Sequence, residues 1–367
     1  MISEGGYGCI YYPELETKDE KFISKVQLNH FTSRNEKRVS DELRKIPNFQ
    51  NFFGTIEKIM PLNINKLDPK LKAACTIMKK YNSKEFRVFK MEYIGEHTYL
   101  EYLEKSQSNE NLFPYIFETY KRILIGIQLL LSKNIIHMDL KGNNIMFNSI
   151  KNIPIIIDFG LSVRLEVLDK HLEDYFYTFA PEYYYWSLEI HYINYLVNET
   201  PTPTAENIRE ICALFVEKNK ILQESFSQTF LEKYKLQAEQ SLLRFLGKEK
   251  SDVIEHILKF SHTWDNYALS MVFIKIIKLF NLKGFVKNNF MIHFAKILLT
   301  NIHPYMERRL SPSETYKKFA AFFYNKEINT VQNFQELLEN LIETSDMMKL
   351  AIQDEKDELK RLEQILS

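Results

Sequence analysis

Two apolar runs that end on acidic residues constrain this chain more than any other feature: IIHMDLKGNN at residues 135–144 and IPIIIDFG at 153–160. A short β-branched run followed by turn residues reads as a buried strand end. Side chains just beyond such an end stand on a loop anchored by the core, where chemistry is commonly carried. Asp139 is spaced to accept a proton from an incoming hydroxyl. Lys141, two residues on, can neutralise charge on a transferred phosphoryl group, and Asn144 offers an amide oxygen to a hard cation. Nineteen residues after Asp139 stands Asp158-Phe159-Gly160, whose carboxylate can bridge Mg²⁺ to nucleotide phosphates. An isolated Asp-Phe-Gly is a common turn and a lone His-x-Asp is usually structural. Their joint order and spacing point to phosphoryl chemistry.

The flanking pattern changes near residue 95. Residues 1–31 read as strands (GCIYYP, KFISKV), and a helix over 34–46 follows, with Val39, Leu43 and Ile46 on one face and Pro47 as its stop. Strands are expected at 52–60, at 76–79 and in EFRVFKMEYI. From Leu112 helical periodicity takes over, with Ile116, Tyr120, Ile123, Ile127 and Leu131 along one stripe. Two lobes, 1–94 and 95–328, joined through MEYIGE, account for the shift. A helical insertion at about 187–262 carries apolar faces such as Ile208/Ile211/Phe215 and Leu242/Leu243/Leu246, expected to pack on the helical lobe or to dock a partner. A charged helical extension, 329–367, closes the chain, with Phe334, Leu337, Leu338, Leu341 and Ile342 at helical spacing.

Lys+Arg and Asp+Glu both number 48, so no global field favours nucleic acid or an anionic membrane. The three cysteines, Cys9, Cys75 and Cys212, form no C-x-x-C pair. That spacing suits a reducing compartment and argues against a disulfide framework or a zinc site. No signal peptide opens the chain and no apolar stretch is long enough to span a bilayer, so a cytoplasmic protein without membrane insertion is expected.

At the N-terminus, SEGGYGCI is either a phosphate-covering glycine loop or a plain turn. The other motifs decide it. H-M-D-L-K-G-N-N, D-F-G and Ala180-Pro181-Glu182 resemble the catalytic loop, metal-binding and A-P-E signatures of the eukaryotic-type protein kinase family. WDNYALS resembles its D-x-W-S-L-G helix signature.

The resemblance implies an α+β, two-lobed kinase fold, with a small antiparallel-sheet lobe and a large helical lobe. It implies ATP and Mg²⁺ as cofactors and a protein substrate with a serine or threonine acceptor. In that frame Asp139 is the base, Lys141 neutralises the transferred phosphoryl group, and Asn144 and Asp158 are the metal ligands. Lys25 in FISKV is the third-strand lysine; Glu36 and Glu42 compete to pair with it, and Glu36 fits the family spacing better. Ser3, Glu4, Gly5, Gly6, Tyr7, Gly8 and Cys9 form the phosphate-covering loop, with Ser3 in place of the first glycine. Ile2, Ile10, Ile23 and Met146 form the apolar shelf for the base. Met91 gates the back pocket, and Glu92, Tyr93 and Ile94 form the hinge. Asp265 braces the catalytic loop, and Arg309 pairs with Glu182.

Met138 replaces the arginine that usually faces an activation-loop phosphate, so activity without loop phosphorylation is expected. The chain begins two residues before the glycine loop, which leaves the first strand short. The long insertion and the Ile/Lys/Asn/Phe-rich composition look most like divergent serine/threonine kinases of large cytoplasmic DNA viruses, which implies a host-cytoplasmic or virion location. A pseudokinase scaffold and a small-molecule kinase are the rival readings.

Overall fold

The computed structural model describes residues 3–5, 8–63, 67–81, 85–105, 112–279 and 289–323. Ile2, Gly6, Tyr7 and the extension 329–367 lie outside the described residues.

Strands β1 (Ser3–Gly5), β2 (Gly8–Tyr11) and β3 (Phe22–Leu28) run into helix α1 (Phe31–Leu43); β4 (Ile56–Leu62), the short helices α2 (Pro69–Ala74) and α3 (Thr76–Lys80), and β5 (Phe86–Glu92) follow. The strands form one antiparallel sheet in the order β1-β2-β3-β5-β4. Alternation sorts their side chains onto two faces. Ile10 pairs with Lys25, and Ile23 with Met91, so these four share a face. Cys9 pairs with Val26 on the opposite face, where Tyr11, Cys75, Ile77, Met78, Phe86 and Val88 make a separate small core.

Two expectations are corrected in this region, and one site residue turns its side chain elsewhere. Residues 76–80 are helical, because Cys75 starts a turn whose Ile77 and Met78 cover the outer sheet face. Cys9 and Cys75 are joined in a disulfide with Cα atoms 6.0 Å apart, across 66 residues of sequence. Linear spacing concealed that pair; folding α2–α3 over β2 brings the two sulfurs together. Glu4 also turns to the outer face, where its carboxylate accepts from the amides of Thr76 (2.7 Å) and Ile77 (3.3 Å) at the start of α3.

Helix α1 starts on a cap in which the His30 ring accepts from the Thr32 amide and Ser33 bonds back to the His30 amide. It buries Val39 and Leu43 as the stripe foretold. Ser40 accepts the Ile56 amide at 3.1 Å, tying the helix to β4.

The second part of the chain contains α4 (Tyr99–Lys105), α5 (Leu112–Leu131), β6 (Ile135–Ile136), β7 (Ile145–Asn148), β8 (Ile153–Ile156), β9 (Val163–Arg164), α6 (Leu172–Tyr175), α7 (Leu188–Asn198), α8 (Ala205–Lys218), α9 (Lys220–Ser225), α10 (Gln228–Leu243), α11 (Lys250–Leu258), α12 (Trp264–Leu279), α13 (Asn289–Asn301) and α14 (Pro312–Phe323). One continuous core joins them, from Ile116, Tyr120 and Ile123 of α5 to Tyr267 and Met271 of α12. Ile208, Ile211, Phe215 and Leu242 from the insertion are buried in that same core, and Tyr234 donates to the Ile302 carbonyl at 2.6 Å. Leu246 departs from the expected face and remains 46% exposed. No helix among the described residues is long and apolar enough to cross a membrane. The small two-stranded ladders β6·β9 and β7·β8 hold the two loops that carry Asp139 and Asp158.

Candidate active site

Lys25 projects from the inner face of β3. Its ammonium lies 2.9 and 3.1 Å from the two Glu36 oxygens and 2.9 Å from Asp158 Oδ1. Glu36, buried on α1, also accepts from Gln27 Nε2 at 2.7 Å. Glu42 is on the helix surface and pairs with Lys45. Burial alone would drive the proton off Lys25, but the Asp158 and Glu36 carboxylates outweigh it and raise its pKa. Asp158 also resists desolvation: the adjacent Lys25 ammonium holds its carboxyl below the usual aspartate range.

The loop after β6 is built around neutral His137. Its Nδ1 accepts the Asp139 amide at 3.2 Å, so Nε2 carries the proton and donates to the Ile157 carbonyl at 3.0 Å. Buried Asp265, from the first turn of α12, accepts the amides of His137 (2.7 Å) and Met138 (3.0 Å). Met138 takes φ 65°, a left-handed conformation that these bonds hold in place. Asp139 is thereby aimed at Lys141, whose ammonium lies 2.9 and 3.1 Å from its oxygens. Asn144 Nδ2 donates to Asp139 Oδ2 at 2.8 Å and to the Asp139 carbonyl at 2.8 Å. Burial raises the Asp139 pKa, with Lys141 pulling in the opposite direction. The Tyr183 hydroxyl donates to Asp139 Oδ1, so this carboxylate already accepts an O–H within the fold.

With its side-chain nitrogen committed to Asp139, Asn144 keeps its side-chain Oδ1 without a hydrogen bond among the described residues, while its backbone carbonyl accepts the Ile157 amide at 2.9 Å. That side-chain oxygen and the Asp158 carboxylate form an oxygen-only donor pair, the chemistry a hard divalent cation takes. The inner face of the sheet carries the apolar residues that could hold a nucleotide base. Ile10, Ile23 and Met91 line it beside Lys25, and Met146 stands on β7. Beyond β5 the Tyr93 amide is taken by the Lys21 carbonyl (2.8 Å), whereas the Ile94 amide makes no backbone hydrogen bond among the described residues. Ser3 and Gly5 pair with Ile10 and Gly8 in the β1–β2 hairpin. Gly8 is required by packing, since a Cβ there would sit 2.2 Å from the Val26 carbonyl oxygen. The Cys9 and Glu4 side chains face away from this cleft, which leaves only their backbone to contribute to it.

Arg309 does not meet Glu182. It forms a bidentate pair with Glu189, at 2.6 and 2.9 Å, with both side chains 1% exposed. Trp264 Nε1 adds a third bond to Glu189 Oε1 at 2.9 Å, while Glu182 is exposed. The sequence hint was distance: 82 residues between Glu182 and Asp265 exceed what the resemblance allows. Other residues missed from sequence are Gln27, Asn35, Tyr183 and Trp186, whose indole donates to the Met138 carbonyl at 2.8 Å. They are polar or aromatic residues outside any motif, and no local pattern marks them.

Residues 2–318 match the family described as protein kinase domain. A probable serine/threonine-protein kinase, mkcB, of Dictyostelium discoideum is 29% identical over 161 residues, 44% of this chain and 19% of that protein. The interferon-induced, double-stranded RNA-activated protein kinase of Rattus norvegicus is 36% identical over 76 residues, 21% of this chain and 15% of the relative. Serine/threonine-protein kinase STE11 of Saccharomyces cerevisiae is 50% identical over 50 residues, 14% and 7% respectively. The matched segments therefore span less than a fifth of each relative.

Proposed function

Because the chain belongs to the protein kinase domain family, we propose that it is an ATP- and Mg²⁺-dependent serine/threonine protein kinase. The observation that carries this reading is the meeting of Lys25 with both Glu36 and Asp158, beside an Asp139 carboxylate held by Lys141 and Asn144. Phosphoryl transfer asks a protein mainly for positioning and charge neutralisation. Asp139 orients the acceptor hydroxyl and takes its proton. Lys141 stands within reach of the phosphoryl group in transit, and Lys25, fixed by Glu36, neutralises nucleotide phosphate. Mg²⁺ held by Asn144 and Asp158 would supply further charge neutralisation at the phosphates. The sheet region to residue 94 holds the nucleotide from above, and the helical region from 95 presents the acceptor side. Serine or threonine as acceptor rests on the D-L-K-x-x-N form of the loop and on the names of two relatives.

Phosphoryl transfer from radiolabelled Mg-ATP to generic protein substrates tests this reading. Transfer by the wild type but not by Asp139→Asn supports it. Nucleotide binding without turnover would instead favour a pseudokinase scaffold. Transfer to sugars or aminoglycosides in place of protein would favour the small-molecule reading.

A further inference from the structure

We propose that Asn35 is a positioning residue that docks α1 on the segment following Asp158 through the hydrogen bonds of its uncharged amide, so that the Lys25–Glu36 pair stands without any phosphate on that segment. The inference rests on the kinase reading above and concerns its regulation.

Asn35 precedes Glu36 on α1 and is 1% exposed. Its Nδ2 donates to the Ser162 carbonyl at 2.6 Å and, more weakly, to the Gly160 carbonyl at 3.4 Å. Its Oδ1 accepts from Arg164 Nε and from the Tyr175 hydroxyl, both at 3.3 Å. An amide side chain has two donor hydrogens and two acceptor lone pairs. All four are engaged by residues 160–175. Phe31, one turn earlier on the same helix, packs against the Tyr175 ring at 5.1 Å and the His171 ring at 5.4 Å. Displacing the segment would strand a buried amide and release the helix that carries Glu36.

The chemistry around this contact does not suit a phosphate switch. Met138 is apolar and 5% exposed. Of the two cations on the segment, Arg164 gives its Nε to Asn35, and Lys170 lies between Asp169 and His171. Glu166, Asp169, Glu173 and Asp174 lie along the same stretch and would repel an added dianion. Ser162 and Tyr175 are buried with committed hydroxyls, Ser162 donating to the His137 carbonyl at 3.2 Å, so a phosphate on either would break the dock. A dock centred on an uncharged amide holds with or without phosphate.

The test uses the full chain and a protein substrate. Wild-type enzyme, cleared of phosphate by a broad phosphatase and verified by mass, should keep its initial rate. Asn35→Ala should raise the ATP KM and lower kcat/KM about tenfold, as expected for losing several buried hydrogen bonds. Amide exchange should then accelerate together in residues 31–43 and 160–175. Tyr175→Phe, which deletes one bond and keeps the ring, should shift the ATP KM in the same direction by about twofold, and it serves if Asn35→Ala does not fold. A several-fold loss of wild-type rate on dephosphorylation overturns the proposal. So does an unchanged ATP KM in both variants, the result of a merely structural role. If untreated wild type transfers phosphate to no protein, the kinase reading itself fails, a result distinct from either of these.

Discussion

Two buried ion-pair centres in this protein use the same chemistry to opposite ends. Arg309–Glu189 is held from several sides: two parallel guanidinium bonds to the carboxylate, Arg309 Nε to the His303 carbonyl at 2.7 Å, and the Trp264 indole as a third donor to the carboxylate. A planar fork on a carboxylate with no solvent is a closed joint. At Lys25 one compact ammonium is shared by two carboxylates on different elements, and the Asp158 side chain is 41% exposed. That centre keeps oxygen atoms facing the cleft. The difference separates a joint that holds α7 and α12 to the end of the helical region from a centre left partly open, as the proposed nucleotide site requires.

The sharpest test of this contrast is at the cleft. Asp139→Asn should lower phosphoryl transfer by about 10²–10⁴-fold, the usual worth of a positioned base, with an unchanged melting temperature. A rate within a few-fold of wild type would remove Asp139 from its role. At the closed joint the effect should fall on stability instead. Arg309→Met leaves the Glu189 carboxylate buried and uncompensated, which costs about 3–5 kcal/mol. Denaturant unfolding that moves by less than 1 kcal/mol would show the joint to be dispensable.

The third test uses pH. His191 lies on α7 near Glu189, packed among Trp186, Phe179 and Phe215, and burial lowers its pKa to about 3. The unfolded chain takes up this proton near pH 6.5 and the folded one does not. Its contribution to stability is therefore complete above pH 6.5 and is lost as pH falls from there toward 3. The stability gap between wild type and His191→Phe should shift by a few kcal/mol across that window. A gap constant with pH would mean that the ring meets water or a proton acceptor. The smallest effect is expected at Glu182, which is exposed and apart from Arg309. Glu182→Gln should change stability by no more than about 0.5 kcal/mol, whereas a multi-kcal loss would return it to the joint.

The fold class was legible because its signals are local. Alternation in FISKVQL and the apolar stripe of α5 name their own elements. The candidate site was legible for a related reason: Asp139, Lys141 and Asn144 sit on one short loop, where covalent geometry alone keeps them together. Local pattern failed where two segments with no shared motif meet. Residues 76–80 read as a strand from their composition, yet they cap the outer sheet face as a helix. Cys9 and Glu4 pair across strands β1 and β2, and strand alternation turns both side chains to the outer face of the sheet.

By itself the sequence determined the reactive groups, their order along the chain and the division into sheet-rich and helix-rich regions, since each is set by residue type and near-neighbour spacing. Tertiary structure decided which partner each group takes. Glu36 or Glu42 could meet Lys25, and Glu182 or Glu189 could meet Arg309; the choice depends on which helix face is buried and how far the intervening chain travels. The same holds for Cys9 with Cys75, 66 residues apart, and for Asn35 with a segment more than a hundred residues away. Equivalent side chains compete for each such contact, and packing selects the one whose burial leaves no polar group unmatched.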